Sequence, residues 1–386
     1  MGAREYLQQE MPLLMSWRHD FHAHPEIGFQ ETRTAARVAE LLAGWGIEVR
    51  TGVGGTGVIG TLRGRRPGHN AIGFRADMDA LPMTGRADVP YRSTRPDAFH
   101  GCGHDGHTAT LLGAAKYLSE HPDFAGTIHF IFQPAEETLR GGPAMIADGL
   151  FTHAPVSEVY GLHNNPLMPP GKVGIRTGAI LSGCDPLRIE VHGVGAHGAQ
   201  PHQGIDPIVI ACELVGLLQT VVSRSLNALD SGVVSFGVIQ GGTTANVIPD
   251  RVVLEGTIRS MSTEGRALLL RRVGEICDGV ARCFGIKITC DIAAGCPPTM
   301  NHAEPSAAVA RAARLVVGSD DLVADVTPLM ASEDFSFMLQ ERPGAYFFVG
   351  QNGPNCHHPE YVFDDAIMPI GGAMFVQIAY DRLNRT

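Results

Sequence analysis

The sequence predicts an α/β protein in which a mostly parallel sheet carries helices on both faces and a second, α+β domain is inserted. Three observations predict this fold: a length of 386 residues, short apolar runs that alternate with helical stretches, and a different pattern in the middle of the chain. A chain of this length exceeds one ordinary hydrophobic core, so two domains are expected.

Five short apolar runs bounded by turn residues are the candidate strands of the main sheet. They are the segments 58–62, 71–74, 127–132, 159–162 and 345–349. Helical patterns are found at 31–45, 108–118 and 306–317. Runs that are apolar at consecutive positions are typical of strands buried on both faces, as in a parallel sheet covered by helices.

Residues 184–294 show a different order of elements. The candidate strands here are 187–192, 233–239, 252–259 and 286–291, and the candidate helices are 207–223 and 263–284. Two helices with four strands make a self-contained α+β unit. We therefore predict a discontinuous first domain of residues 1–183 and 295–386, and an inserted domain of residues 184–294.

Composition excludes several classes of function. Forty acidic and 30 basic residues give a formal charge of −10, which argues against binding to nucleic acid or to an anionic membrane. No segment approaches about 18 uninterrupted apolar residues, so no membrane-spanning helix is expected. The N-terminal residues lack the regions of a signal peptide, and a cytoplasmic protein is therefore expected.

Ionisable side chains follow the predicted strands at the point where each strand ends. They are Asp79 after the second strand, Glu136 and Glu137 after the third, His163 after the fourth, and Cys356, His357 and His358 after the fifth. Cys102 and His104 precede the helical pattern at 108–118. Because sites in open α/β sheets form at the carboxyl ends of the strands, we expect these side chains to lie together.

A thiol, imidazoles and carboxylates are ligands suited to zinc, manganese, cobalt or nickel. The expected set is Cys102, His104, one of Glu136 and Glu137, His163, and one of His357 and His358. A single catalytic ion needs about three protein ligands, so this larger set indicates two divalent ions. The second glutamate then remains as a general base, and Asp79 is expected to hold a ligating imidazole by its other nitrogen.

The histidines of the segment 18–26 suggest a second metal cluster at first sight. They are His19, His22 and His24. These histidines do not follow the end of a predicted strand, and five candidate metal ligands are already found elsewhere. We therefore expect these three histidines to have a structural role.

Segments along nearly the whole chain resemble the metal-dependent N-acyl-amino-acid amidohydrolases, a dinuclear metallopeptidase-like group that includes hippurate hydrolase, aminoacylases and auxin-conjugate hydrolases. The similar segments are 18–26, 75–82, 101–109, 133–137, 161–163, 241–250, 256–259, 332–335 and 357–359. The resemblance implies Glu136 as the general base. The metal ligands that it implies are Cys102, His104, Glu137, His163 and His357.

The resemblance also assigns roles to the inserted domain, which would mediate dimerisation and cover the substrate. It implies that His197, from the same chain or from a partner subunit, stabilises the oxyanion, and that Asn246 and Arg259 hold the substrate carboxylate. A homo-oligomer, either a dimer or a tetramer, is therefore expected. The chain departs from the family pattern at Val362, where relatives usually have an acidic residue, and at Cys356, where they commonly have an apolar one.

The predicted function is metal-dependent hydrolysis of the amide bond of small N-acyl-amino acids, which releases an amino acid and a carboxylic acid. The alternative is a metallo-carboxypeptidase or dipeptidase that acts on short peptides. A thiol amidohydrolase with Cys102 as nucleophile is a rival that leaves Glu137, His163 and His357 unexplained. A non-catalytic metal-binding protein is a further rival, although no ligand or base is missing from the sequence.

Overall fold

The computed structural model describes residues 2–384. It divides into two compact units. The first comprises the chain up to Ile180, Met300–Thr327 and the chain from Asp334 onward, and the second comprises Leu181–Thr299 and Pro328–Glu333. The predicted domain limits at 184 and 295 stay a prediction. They assign the short segment Pro328–Glu333 to the first domain, whereas it clusters with the second unit.

The helices and strands follow one another along the whole described chain. The strands are β1 Glu48–Val53, β2 Gly57–Arg63, β3 Arg66–Asp77, β4 Ala125–Gln133, β5 Glu158–Asn165, β6 Val173–Gly174, β7 Gly178–Leu181, β8 Gly183–His192, β9 Ala196–His197, β10 Gly232–Gly241, β11 Val247–Ile248, β12 Arg251–Ser260, β13 Lys287–Ile292, β14 Thr299–Asn301, β15 Leu322–Val323 and β16 Gly344–Gly350. The helices are α1 Ala3–Gln9, α2 Met11–Ala23, α3 Thr32–Gly44, α4 His104–Glu120, α5 Gly141–Ala147, α6 Leu150–His153, α7 Pro207–Thr220, α8 Thr263–Phe284, α9 Ala303–Val316, α10 Phe335–Glu341 and α11 Met368–Leu383.

The first unit is built on an eight-stranded sheet with the strand order β1-β2-β4-β3-β5-β16-β6-β15. Its central strands β4, β3, β5 and β16 are parallel to one another, whereas β16 pairs with β6 in the antiparallel sense. The hairpin of β1 and β2 extends one side of the sheet with antiparallel pairs. Helices α4 and α11 pack against each other and against β3. The predicted α/β fold with a mainly parallel sheet is therefore confirmed.

The parallel strands are buried along almost their whole length. All seven residues of β16 are buried, and so are the last six residues of both β3 and β4. A strand covered on both faces needs apolar residues at consecutive positions, which explains why these strands are visible in the sequence. Their carboxyl ends lie together because neighbouring strands run in the same direction. The site residues follow these ends.

The second unit contains a four-stranded antiparallel sheet with the order β10-β12-β8-β13. Helices α7 and α8 pack on it, and their buried side chains join those of the strands in one apolar cluster. Asp206 caps the start of α7 by accepting a hydrogen bond from the N–H of Ile208, and Ser262 caps α8 in the same way from Gly265. These are the two helices and four strands that the sequence predicts here.

Helix α7 continues into a π-helical turn at Val221–Ser225. By length and composition alone, the helix Pro207–Ser225 is apolar enough to cross a membrane, with a mean hydropathy of 1.5. A single helix of this kind is weak evidence, since core helices of other proteins pass the same test. One face of α7, with Ile210 and Leu214, is buried in the apolar cluster of the second unit, whereas Val209 is 57% exposed.

Candidate metal centre

Cys102 and His104 enter the site through a sharp turn at Gly103. Gly103 has a φ of 100°, and a Cβ at this position would lie 2.5 Å from both Asn164 Oδ1 and the Tyr361 hydroxyl oxygen. Only glycine fits this conformation and this space. Helix α4 begins directly afterwards, at His104 rather than at residue 108 as the sequence pattern predicts. Its first residue therefore points into the site.

Glu136 and Glu137 lie on a single 3₁₀ turn that follows β4. The turn is flanked by two non-glycine residues with positive φ, Ala135 at 52° and Leu139 at 56°. Such conformations cost of order 1–3 kcal/mol each and persist only where surrounding contacts fix them. Here the Asp79 carboxylate accepts the backbone N–H groups of both glutamates, each at 3.0 Å. Asp79 therefore orients the pair.

Asp79 also contacts the imidazole of His104. His104 Nδ1 lies 2.9 Å from the Asp79 carbonyl oxygen and 3.2 Å from Oδ1 of its carboxylate. This leaves His104 Nε2 directed away from Asp79. The expected contact of Asp79 with the second nitrogen of a candidate ligand is present, and one carboxylate links His104 to the turn of the two glutamates.

His163 and His357 approach the same cluster from β5 and from the loop after β16. His163 Nε2 lies 3.4 Å from Cys102 Sγ. His357 Nε2 lies 3.3 Å from Glu137 Oε2, and His357 has a positive φ of 68°. Its neighbour His358 instead accepts the N–H of Glu360 through Nδ1 at 3.1 Å. Of the two histidines, His357 is therefore the one that joins the cluster.

Among the described residues, five overlapping groups of side chains have ligand atoms within 4.8 Å of one another. Two of these groups are Asp77 with His104 and His107, and Glu136 with Glu333 and Asp334. The other three groups each bring at least two predicted ligands together. They are Cys102 with His104 and His163, Cys102 with Glu137 and His357, and His104 with Glu136 and Glu137. All five predicted ligands belong to these groups, and Cys102 belongs to two of them. Their assignment as metal ligands stays a prediction.

Two buried atoms at the centre of the cluster support a fit to metal ions. Among the described residues, His104 Nε2 and Glu137 Oε1 have no hydrogen-bond partner. Buried polar atoms are almost always paired, so two unpaired atoms at one place need an explanation. Binding of a cation would give both atoms a partner. Sulfur, imidazole nitrogen and carboxylate oxygen together suit zinc and its neighbours in the periodic table. The residues of the cluster therefore fit divalent metal ions of the predicted kinds.

Burial and neighbouring charges shift the pKa values of the candidate ligands. Burial acts to lower the pKa of His104, but the carboxylates of Asp77 and Asp79 outweigh it and raise that pKa well above its usual value. Burial lowers the pKa of His163 well below its usual value, which favours the neutral ring that ligates metals. Burial acts to raise the pKa of Glu137, but the hydrogen bond with His357, together with the charges of the neighbouring histidines, outweighs it, and the pKa of Glu137 lies below its usual value.

A buried polar network supports the strand ends beneath this cluster. Asp77 Oδ1 lies 2.6 Å from His107 Nδ1, and His107 Nε2 lies 2.7 Å from Asn164 Oδ1. Asn164 Nδ2 donates to the Tyr361 hydroxyl at 2.8 Å. Arg75 donates to Asp77 Oδ2 at 2.8 Å from the middle of a buried strand. The sequence patterns predict no role for these residues, although a charged residue inside an apolar strand, such as Arg75, is a detectable signal.

A second polar cluster supports the start of α4 from the side of α2. The Asp105 carboxylate oxygen Oδ2 lies 2.8 Å from His22 Nδ1 and accepts Arg18 Nη1 at 3.2 Å. His19 Nε2 lies 3.0 Å from Asp365 Oδ2. The side chains of Arg18, His22 and Asp105 are almost completely buried. These contacts agree with the structural role expected for the histidines of this segment.

The predicted substrate-binding residues lie in the second unit. His197 is exposed on β9, which pairs with β11 so that Gly198 N donates to the Asn246 carbonyl oxygen at 2.8 Å. Arg259 on β12 donates to the carbonyl oxygen of Met330 at 2.8 Å and to Ser332 Oγ at 3.0 Å. The roles of His197, Asn246 and Arg259 stay predictions.

A cavity of about 520 Å³ also lies in the second unit. Its lining comprises Gly195, Gln240–Thr243, Val247–Arg251 and Val253. The lining includes neighbours of His197 and Asn246 along the chain, but none of the candidate metal ligands.

The fold and the site together define an α/β protein with a candidate metal centre at the carboxyl ends of its parallel strands. The model of peptidase family M20/M25/M40 matches residues 73–381. The chain belongs to this family, and it is an amidohydrolase. The resemblance drawn from the sequence motifs is therefore confirmed.

Two relatives and one solved structure indicate how close this relationship is. The chain is 39% identical over 363 residues to hippurate hydrolase of Campylobacter jejuni, covering 94% of each chain. It is also 39% identical over 354 residues to N-acetyl-L-cysteine deacetylase of Bacillus subtilis, covering 91% of this chain and 84% of the relative. A dinuclear metal-binding peptidase of the M20 family from Bacillus subtilis matches with a TM-score of 0.86 and 30% identity, covering 98% of this chain and 100% of the other.

Proposed function

We propose that this chain hydrolyses the amide bond of N-acyl-amino acids with the help of two divalent ions, which can be zinc, manganese, cobalt or nickel. The observation that carries the proposal is the pair of ligand groups that share Cys102, one completed by His104 and His163 and the other by Glu137 and His357. Two groups with a common sulfur suit two neighbouring ions. The similarity to a dinuclear metal-binding peptidase supports the same reading.

The relatives support the substrate class. One is named as a hydrolase of hippurate and another as a deacetylase of N-acetyl-L-cysteine, and both names describe an acylated amino acid. Hydrolysis of the amide bond of an acylated amino acid yields an amino acid and a carboxylic acid. The acyl group and the amino acid preferred by this chain depend on the shape of its pocket, and a substrate panel identifies them.

The mechanism assigns each chemical task to a named side chain. Cys102, His104, Glu137, His163 and His357 would hold the cations, which would supply Lewis-acid chemistry: a lower pKa for water and a polarised amide carbonyl. Glu136 acts as the general base that takes a proton from the attacking water, and it then delivers this proton to the departing amine. Asp79 fixes the direction of Glu136 through the backbone N–H that it accepts at 3.0 Å.

The second unit is proposed to recognise the substrate. His197 would stabilise the developing oxyanion, either from the same chain or from a partner subunit. Asn246 and Arg259 would bind the free carboxylate of the amino acid, for which a planar guanidinium is well suited. We further propose a cytoplasmic homo-oligomer that associates through the inserted domain and binds neither nucleic acid nor membrane.

A substrate panel on metal-defined enzyme tests this proposal. The metal-free protein is loaded separately with zinc, manganese, cobalt and nickel, and release of the free amine is measured with acetyl, benzoyl, long-chain and indolyl conjugates and with dipeptides. The proposed function expects turnover of acyl-amino acids that a chelator abolishes and added metal restores. Preferential cleavage of dipeptides would instead favour the peptidase alternative.

The same assay distinguishes metal-dependent hydrolysis from hydrolysis by a thiol nucleophile. A thiol hydrolase with Cys102 as nucleophile would keep its activity in the chelator and would accumulate an acyl intermediate on sulfur. Binding of metal without hydrolysis of any compound in the panel would indicate a non-catalytic metal-binding protein.

A further inference from the structure

Cys356 lies directly against the loop that carries Cys102. The backbone N–H of His357 donates to the carbonyl oxygen of Gly101 at 2.7 Å. The Cys356 thiol donates to the carbonyl oxygen of Cys102 at 3.7 Å. Two chain segments that are distant in sequence are therefore held together where each carries a cysteine.

The surroundings of Cys356 fix its side chain in this position. Asn164 Nδ2 donates to Cys356 Sγ at 3.7 Å, and the same nitrogen donates to the Tyr361 hydroxyl. Cys356 is partly exposed, whereas Cys102 is 9% exposed. Of the two residues, Cys356 is therefore the more accessible to a small-molecule oxidant, and its thiol already contacts the backbone of Cys102.

We propose that Cys102 and Cys356 form a reversible disulfide when the cations are absent, by exchange with a low-molecular-weight disulfide. The Cys356 thiolate attacks one sulfur of the oxidant and releases one thiol. The Cys102 thiolate then attacks the Cys356 sulfur of the mixed disulfide and releases the second thiol. One protein S–S bond forms, the oxidant S–S bond breaks, and two electrons and two protons pass to the released thiols.

This disulfide removes a sulfur that the proposed function needs. Cys102 belongs to two of the ligand groups, so its oxidation would weaken both ends of the candidate metal centre at once. Conversely, cations bound to the Cys102 sulfur would block its attack on Cys356. This second half of the inference rests on the proposed function, whereas formation of the disulfide does not.

The experiment compares metal-free and zinc-loaded full-length protein after incubation with oxidised glutathione. Free thiols are blocked with an alkylating reagent, and the digested protein is analysed by mass spectrometry. We expect a peptide that links Cys102 to Cys356 in the metal-free sample, its loss after a dithiol reductant, and its near absence from the zinc-loaded sample. Zinc stoichiometry of each sample is measured in parallel, and the oxidised protein is expected to bind less zinc.

Matched cysteines supply the controls. Cys356→Ser and Cys356→Ala should lose the link, while Cys212→Ser, at an exposed position, should retain it. Cys277 and Cys290 both pack in the apolar cluster of the second unit. Neither of these is a candidate ligand, so zinc should leave their reactivity unchanged.

The outcomes separate the two proposals. Absence of the Cys102–Cys356 link in metal-free protein that still binds zinc when reduced would overturn the redox inference and leave the proposed function intact. A link that forms equally well in zinc-saturated protein would overturn the protection of Cys102 by cations. A link in a protein that, when reduced, binds none of zinc, manganese, cobalt and nickel would support the disulfide and contradict the proposed function.

Discussion

Glu136 and Glu137 are adjacent in sequence, yet their surroundings suit different tasks. Glu137 is paired with His357 through Oε2, while its Oε1 has no hydrogen-bond partner among the described residues. Glu136 is buried, and its Oε2 lies 3.9 Å from His104 Nε2. A side chain that holds an ion cannot at the same time act as a free base. Under the proposed function, the tight turn would supply one carboxylate for each task.

Replacing Glu136 by Gln tests this division. The amide cannot accept the proton of the attacking water, so we expect kcat to fall by about 10²- to 10⁴-fold. The metal content should be unchanged, because Glu137 and the other four ligands remain. Steady-state kinetics together with metal analysis of the purified variant measure both quantities.

Two variants make the result specific. Glu137→Gln should lose metal as well as activity, whereas Glu360→Gln, at an exposed position, should change neither. Near-normal turnover by Glu136→Gln would remove Glu136 from the mechanism.

His129 on β4 makes stability depend on pH. Burial and the charge of Arg63 lower the pKa of His129 to about 4, against an opposing effect of Glu48. Between pH of about 6.5 and about 4 the unfolded chain therefore binds a proton that the folded chain does not. Stability falls as the pH decreases through this window. The full effect of this histidine is about 3 kcal/mol.

The variant His129→Gln measures this contribution, because Gln keeps a polar group near Thr61 Oγ1, which lies 3.0 Å from His129 Nδ1. Urea unfolding is compared at neutral pH and near the lower end of the window. The wild-type protein should lose about 2–3 kcal/mol more than the variant on acidification. Equal losses in the two proteins would show that His129 does not titrate in this way.

The elements of this fold differ in how clearly the sequence predicts them. Strands β4, β5 and β16 are recognisable because burial on both faces demands uninterrupted apolar runs. Strands β6 and β15 have two residues each, and such short segments have no periodicity to detect. The start of α4 is missed because its first turn is polar and faces the site, so the apolar pattern begins a turn later.

The turn at Gly103 positions the first residue of α4. In Gly103→Ala, the positive φ and the close approach of Asn164 and Tyr361 would strain the loop, so we expect a loss of about 1–3 kcal/mol in stability. Cys102 and His104 would shift together, and zinc affinity should fall. Chemical unfolding and competition with a zinc chelator measure these effects.

Gly274 in α8 provides the matched control. A Cβ at this position meets nothing within 4 Å, so Gly274→Ala should stabilise the protein by about 0.5–1 kcal/mol through helix propensity. Unchanged zinc affinity in Gly103→Ala would contradict the positioning role of this turn.

At the scale of the whole molecule, the sequence locates the candidate ligands better than the groups that support them. Cys102, Glu137 and His163 lie beside predicted elements, so local patterns reveal them. Arg75 and Asp334 are bonded at 3.2 Å although they are 259 residues apart. A single sequence has no local signal for such a pair, because only the completed sheet makes the two side chains neighbours.

The second unit exposes apolar side chains that suit the proposed self-association. Strand β10 is at the edge of its sheet, and its Ile239 is 59% exposed, while Val209 on α7 is 57% exposed. An exposed edge strand with apolar residues is a typical template for pairing with another chain. These exposed apolar residues are therefore the candidate contacts for oligomerisation through residues 184–294.

Charged substitutions on this surface test the oligomer. Ile239→Asp combined with Val209→Asp should convert the assembly to monomers, because desolvating two carboxylates opposes burial of the surface. Light scattering coupled to gel filtration measures the mass. Leu315→Asp, at a residue of the first unit that is 71% exposed, should leave the mass unchanged. A wild-type protein that is monomeric at all concentrations would contradict the proposed assembly.

The pairing of β5 with β16 has a consequence for protein synthesis. Strand β5 ends at Asn165 and β16 begins only at Gly344, so the central sheet cannot be completed until the intervening residues have been translated. During that interval the edge of β5 that will pair with β16 must avoid pairing with other nascent chains. His357 emerges from the ribosome later still, and the protein therefore acquires its full set of candidate ligands only after β16 and the loop that follows it have been made.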